Sequence, residues 1–235
     1  MQIKINPQIL ENYPDVVIGV VFVKYINNVG DDPELNALLR KVEGELENKI
    51  GNTPVTEHPN ISSWRDAYRK FGAKPKKYPS SIENLVKRIL KGDQVRHINK
   101  LVDAYNYISL KYLIPVGGED LDKIKGDIVL TIASDNEAEV KLLGEPEARP
   151  PYPNEVIYKD DIGTICRRWN WKEADRTKLT EETNRAILVI EALPPVGKEQ
   201  VKDAINELAQ LVSKYCGAEV STKLLSEENP QVEEN

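Results

Sequence analysis

The chain has 235 residues and a mass of 26.6 kDa, enough to bury a sizeable core in one large domain or in one domain with a small subdomain. Two Cys and two His supply neither a disulfide framework nor a multi-His metal centre, so the sequence calls for no metal and no cofactor. The net charge of −6 is uneven: Trp64 to Lys100 holds eleven Lys and Arg against three acids, a local +8 that leaves −14 elsewhere. Such asymmetry fits a phosphate-contacting face, and equally the solvated faces of surface helices.

In chain order, Val16 to Ile26 reads as a buried strand, too short and too interrupted by Gly19 to cross a bilayer. No basic-then-apolar leader opens the sequence, from which a cytoplasmic location is expected. Asp32-Pro33 reads as a helix start, with apolar spacing from Leu35 to Leu46 and a stop at Gly51. A second helix is expected over Ser63 to Phe71. A third opens at the capping box Ser80-Ser81-Ile82-Glu83 and leads to Gly92. Arg65 and Arg69 share one helix face, as do Lys87 and Lys91 with Arg88 beside them, so these five cations form a candidate backbone-contacting patch. Leu101 to Tyr112 is helical with a stripe that is polar at its start, ended by Pro115. Gly117-Gly118 reads as a turn with accessible N–H groups.

Strands are then expected at Ile128 to Ile132, Val140 to Leu143, Val156 to Lys159, Gly163 to Trp171 and Ala186 to Leu193. In the fourth of these Trp169 and Trp171 would point one way as an anchor, with Arg168 and Asn170 facing a pocket on the other. Lys198 to Tyr215 is an amphipathic helix closed by Gly217, and Ala218 to Leu224 a last strand. Helices in the first half and strands in the second indicate an α+β fold, a single domain over 1–225 with a possible short N-terminal subdomain over 1–60. The acidic tail over 226–235 is expected to be disordered.

Three blocks are more specific: "WRDAYRKFGAKPKKYPSSIENLVKRI", "LVDAYNYISLKYLIPVGGEDLD" and "CRRWNWKEADRTKLTEETNRAILVIEAL". In order and spacing they resemble freestanding B3/B4-domain proteins and the B3/B4 editing domain of the phenylalanyl-tRNA synthetase β subunit. The resemblance implies a three-layer β/β/α core with an editing pocket. By position Asn106 matches the asparagine of the family's Thr-Asn pair, with Tyr105 in place of the threonine. Pro115 and Asp120 match the family's proline and aspartate, Gly117 stands where the synthetase domain has histidine, and Glu191 matches the pocket glutamate. Two of these pocket positions differ, so the resemblance implies the reaction more firmly than its specificity.

The expected function is a trans-acting hydrolase that cleaves the ester of a mischarged tRNA. The alternative is a non-catalytic RNA-binding module with a vestigial pocket. An aminoacyl ester is already activated, so hydrolysis needs positioned water and oxyanion stabilisation and no nucleophile. Asn106, Gly117 and Gly118 are the candidate catalytic groups, and Tyr105, Ser109, Arg168, Trp169, Asn170 and Glu191 the candidate substrate-binding groups. Arg65, Arg69, Lys87, Arg88 and Lys91 are the candidate tRNA contacts. Neither DNA nor a membrane is an expected partner. With Tyr105 narrowing the pocket, the preferred acyl group is expected to be smaller than tyrosine.

Overall fold

The computed structural model describes residues 1–234 and has an α+β fold. The chain begins with β1 (Gln2–Ile5), α1 (Pro7–Asn12) and β2 (Val17–Lys24). Five helices follow: α2 (Pro33–Gly44), α3 (Leu46–Ile50), α4 (Pro59–Lys70), α5 (Ser81–Ile89) and α6 (Lys100–Tyr112). Next come the strands β3 (Val116–Asp120), β4 (Ile128–Ile132), β5 (Val140–Lys141), β6 (Ala148–Arg149), β7 (Val156–Lys159), β8 (Thr164–Arg167), β9 (Lys172–Glu173) and β10 (Arg185–Ala192). The chain closes with α7 (Lys198–Cys216), β11 (Glu219–Leu225) and β12 (Gln231–Glu233).

Local chemistry sets several of these boundaries. Asp32 caps α2 by accepting from the amides of Glu34 and Leu35 at 2.9 and 3.0 Å, and Pro33 sits where a missing N–H costs nothing. Ser80 caps α5 through the amide of Glu83 at 3.4 Å. Gly217 ends α7 in the left-handed region, at φ 60°.

Six strands form one sheet in the order β12-β1-β4-β7-β8-β9, and four form a second in the order β11-β2-β10-β3. Strand β2 is central in the second sheet and buried on both faces, which is why it is apolar on both sides of Gly19. Its Ile18, Val20 and Phe22 pack towards the first sheet, with Trp64, Tyr68 and Trp169. Its Val17, Val21 and Val23 pack on the other side against α6 and α7. Gly19 lets α7 approach, since a Cβ there would lie 2.8 Å from Ile205 Cγ1. The result is three layers, sheet on sheet on helices.

Four expectations change. Residues 1–60 form no subdomain, because β1 pairs with β4 and β2 with β10 and β11. Gly117 and Gly118 lie in strand β3 rather than in a turn, opposite Val189 and Leu188 of β10. The expected strand over 163–171 stops at Arg167: Arg168 and Trp169 have φ of 49° and 67°, and β9 turns back to pair Glu173 with Cys166. The tail is ordered as far as Glu234. Val232 is buried, β12 pairs with β1, and Arg185 holds the Glu234 carboxylate at 2.7 and 2.8 Å, so the tail's charge is partly neutralised. Asn235 lies outside the described residues. Among the described residues no helix is long and apolar enough to cross a membrane.

Candidate active site

Between the two sheets lies a cavity of about 250 Å³, walled by α5, α6, β3, the β8–β9 hairpin and β10. Each wall follows from strand or helix periodicity. On β3, Gly117 and Glu119 face the cavity, because alternate residues share a sheet face. On β10 the same alternation presents Ile187, Val189 and Glu191. Helix α6 contributes Tyr105, Asn106 and Ser109, and the hairpin contributes Cys166, Trp169, Asn170, Trp171 and Glu173.

Three carboxyls dominate the lining: Glu119, Glu173 and Glu191. Glu191 is 2% exposed, and its Oε1 accepts a 2.6 Å hydrogen bond from the Tyr158 hydroxyl. Burial pushes its pKa up to about 7, against the pull of Tyr158 and of the nearby N–H groups of Asn170 and Trp169. Those two groups, Asn170 Nδ2 and Trp169 Nε1, are buried and close no hydrogen bond among the described residues. Glu173 is also raised to about 7, by burial first, then by repulsion from Glu191, with the Gly118 amide at 3.3 Å working the other way. Glu119 is raised well above the usual carboxylate range by burial and by Glu173, and its Oε2 has no partner.

The expected site residues fall into three groups. Tyr105, Asn106, Ser109, Gly117, Gly118, Trp169, Asn170 and Glu191 all line this cavity. Asn106 carries an amide with no hydrogen-bond partner among the described residues. Ser109 is already engaged, donating to the carbonyl of Ile114 at 2.6 Å.

Gly117 and Gly118 are not free donors. The Gly118 N–H is directed at Glu173, and antiparallel alternation then sends the Gly117 N–H into the ladder with β10. Gly117 serves by lacking a side chain: a Cβ there would stand 2.8 Å from Glu173 Oε1.

Arg168 is not in the cavity. It lies over the rings of Tyr78 and Trp171 at 3.8 and 4.6 Å and pairs with Glu155 at 2.7 Å, on the far side of the hairpin. Trp171 therefore separates the acidic cavity from a groove of mixed charge that includes Lys77, Arg149, Arg167 and Arg168 with Glu145 and Glu147. Trp169 is fully buried, edge-on to Tyr13 and Trp64 with centroids at 4.9 and 5.1 Å.

The five cations divide as well. Arg65 and Lys87 converge on the buried carboxylate of Glu83 at 2.6 and 2.5 Å, and Arg69 pairs with Asp66 at 2.5 Å. Arg88 and Lys91 are exposed and have no side-chain partner among the described residues.

Sequence reasoning missed Glu119 and Glu173. The signals were present: as a strand, "VGGED" places Glu119 on the face of Gly117, and as a hairpin, "CRRWNWKE" folds Glu173 back onto Cys166. The Cys166 thiol is pushed well above its ordinary value by burial and then by the three carboxylates, so it is no nucleophile at neutral pH. Among the described residues no group of three or more His, Cys, Asp or Glu is placed to hold a metal ion.

A search of the curated proteins finds no match. Among solved structures, the chain is similar to an N-terminal fragment of the phenylalanyl-tRNA synthetase beta-subunit from Pyrococcus horikoshii, at 13% identity and a TM-score of 0.48. That alignment covers 93% of this chain and 49% of the other, so the chain spans about half the length of that fragment. The model of the B3/4 domain matches residues 63–217, which hold α5, α6, β3, the β8–β9 hairpin and β10. With the walls of the cavity inside that match, the chain belongs to the B3/4 domain family.

Proposed function

We propose that this protein is an aminoacyl-tRNA deacylase acting in trans, which hydrolyses the ester of a mischarged tRNA. Family membership supports a tRNA-related role. The observation that carries the chemistry is a cavity lined both by a carboxyl raised to about 7 and by an amide that closes no hydrogen bond among the described residues. A carboxylate with a pKa near the working pH is an effective general base.

In this reading Glu173, held by the Gly118 N–H, takes a proton from water as the water oxygen bonds to the ester carbonyl. The Asn106 amide donates to the carbonyl oxygen as it gains negative charge. The carbon–oxygen bond to the ribose then breaks, and the proton returns from Glu173 to the ribose oxygen. Glu191 holds the α-ammonium group, and the tRNA backbone runs over exposed cations such as Arg88 and Lys91. No acyl-enzyme is needed.

The test is a panel of mischarged tRNAs incubated with the wild type, Asn106→Ala and Cys166→Ala. Deacylation slowed at least tenfold by Asn106→Ala and nearly untouched by Cys166→Ala supports the reading. A covalent adduct on Cys166 refutes the mechanism. Binding of tRNA with no hydrolysis of any member leaves a non-catalytic RNA-binding module.

A further inference from the structure

The arrangement of the three carboxyls carries a statement about the acyl group itself. Glu191 stands across from Pro115 in the β3–β10 ladder and Glu119 across from Ile187, four residues along β10. That offset is about 13 Å along the strand direction. Glu173 reaches in between, beside Gly117. The carboxyls thus line the length of the cavity instead of gathering at one point.

Among the described residues no Lys or Arg closes an ion pair with them. The ionisable groups facing the carboxyls are Tyr68 on α4, Tyr105 on α6, Tyr158 on β7, Cys166 on β8 and Lys172 on β9. Lys172 is the single cation in that set, and its Nζ is taken by Glu145 outside the cavity. Arg176, the next nearest, is held by Asp160 at 2.5 and 3.1 Å. Protonation alone does not satisfy Glu119 either. Its Oε2 is buried and closes no hydrogen bond among the described residues, although the Thr177 hydroxyl lies near enough to the carboxyl to pull its pKa down, and such an orphan costs about 1–3 kcal/mol.

One α-ammonium neutralises one carboxylate and leaves the far end of the cavity unmatched. We propose that the cavity selects an acyl group bearing a second positive charge: an aminoacyl ester whose side chain ends in an ammonium or guanidinium. Glu191 takes the α-ammonium, and Glu119 takes the side-chain cation. The two glutamate side chains shorten the 13 Å offset from both ends, and an extended basic side chain fills the rest. The inference rests on the cavity being an aminoacyl site, as proposed above.

Burial raises all three carboxyls, and repulsion from a neighbouring carboxylate adds to it at Glu119 and Glu173, so a cation that binds them releases protons. Binding therefore tightens as pH rises towards 7.

The experiment is calorimetric titration of the wild type with L-lysinamide and with L-norleucinamide, which share the α-ammonium and differ in the terminal charge. Each is run at pH 5.5 and 7 in two buffers of different ionisation enthalpy. The expected result is at least tenfold tighter binding of lysinamide at pH 7, with proton release, and loss of that preference in Glu119→Gln. Equal binding of the two amides, binding of neither, or a preference that survives Glu119→Gln overturns the inference. A parallel deacylation panel of lysyl-, arginyl-, leucyl- and tyrosyl-tRNA separates the two ideas. Lysinamide binding with no hydrolysis sinks the deacylase and keeps the selectivity, whereas faster hydrolysis of the neutral acyl groups keeps the deacylase and sinks the selectivity.

Discussion

Adding one methyl group at each of two adjacent glycines separates what β3 does for the fold from what it does for the cavity. At Gly118 a Cβ would lie 2.4 Å from Leu188 Cδ2 and 3.1 Å from both the Ile187 carbonyl oxygen and Leu179 Cδ1. Leu188 is fully buried between β3 and the helices, so the overlap cannot be relieved by rotation into solvent. Overpacking of that kind costs about 1–3 kcal/mol. At Gly117 the only near atom is Glu173 Oε1, at 2.8 Å, the tip of a flexible side chain. Gly117→Ala is therefore expected to leave stability within about 1 kcal/mol of wild type, helped by the lower backbone entropy of Ala in a strand. It displaces the carboxylate, and a loss of about tenfold to a hundredfold in deacylation follows, equivalent to about 1.4–2.8 kcal/mol of barrier. Urea denaturation followed by circular dichroism gives the first quantity and single-turnover deacylation the second. An unchanged midpoint for Gly118→Ala, or a Gly117→Ala protein that loses stability and keeps its activity, would refute the geometry assigned to this strand.

Glu191→Gln keeps an acceptor for Tyr158 and removes the titration. The wild-type carboxyl has its pKa raised from 4.5 to about 7 on folding, so its ionisation opposes the fold, and stability falls as pH rises through that window. The variant should match wild type near pH 4 and exceed it by up to about 3 kcal/mol at pH 8, as chemical denaturation at several pH values would reveal. Arg65→Ala with Lys87→Ala strips both partners from the buried Glu83 and should cost about 3–5 kcal/mol. Arg88→Ala with Lys91→Ala should leave the denaturation midpoint alone while flattening the salt dependence of tRNA binding by about two units; if the two pairs behave alike, the division between structural and exposed cations is wrong. Tyr105→Thr should widen the cavity and raise deacylation of bulky acyl groups relative to small ones, and an unchanged ranking would show that Tyr105 does not set its size.

The elements that the sequence made legible are those whose local chemistry decides them: the Asp32-Pro33 helix start, the Ser80 cap and the doubly buried β2. Asn106 and Glu191 were expected in the site from motif position, and the structure places both in the wall of the cavity. What stayed hidden depends on tertiary partners. Gly117-Gly118 looks like a turn until β10 supplies the ladder that makes it a strand. The reversal at Arg168 and Trp169 places its positive φ on neither a Gly nor an Asn, although Asn170 follows, because packing imposes the conformation. The acidic tail reads as repulsive until Arg185 and β1 are seen to receive it.

That reversal also bears on how the cavity can be altered over generations. Two successive non-glycine residues with positive φ carry about 1–3 kcal/mol of strain each, and all that holds them except Ser81 lies outside the cavity. Tyr13 and Trp64 clamp Trp169, Tyr78 and Glu155 clamp Arg168, Val156 accepts from the Trp169 amide, and Ser81 donates to the Asn170 carbonyl. A substitution at Tyr13 or Tyr78 would relax the hairpin and shift Asn170, Trp171 and Glu173 together, without changing any residue that meets a ligand. The shape of the cavity can therefore drift through positions that a comparison of cavity residues alone would pass over.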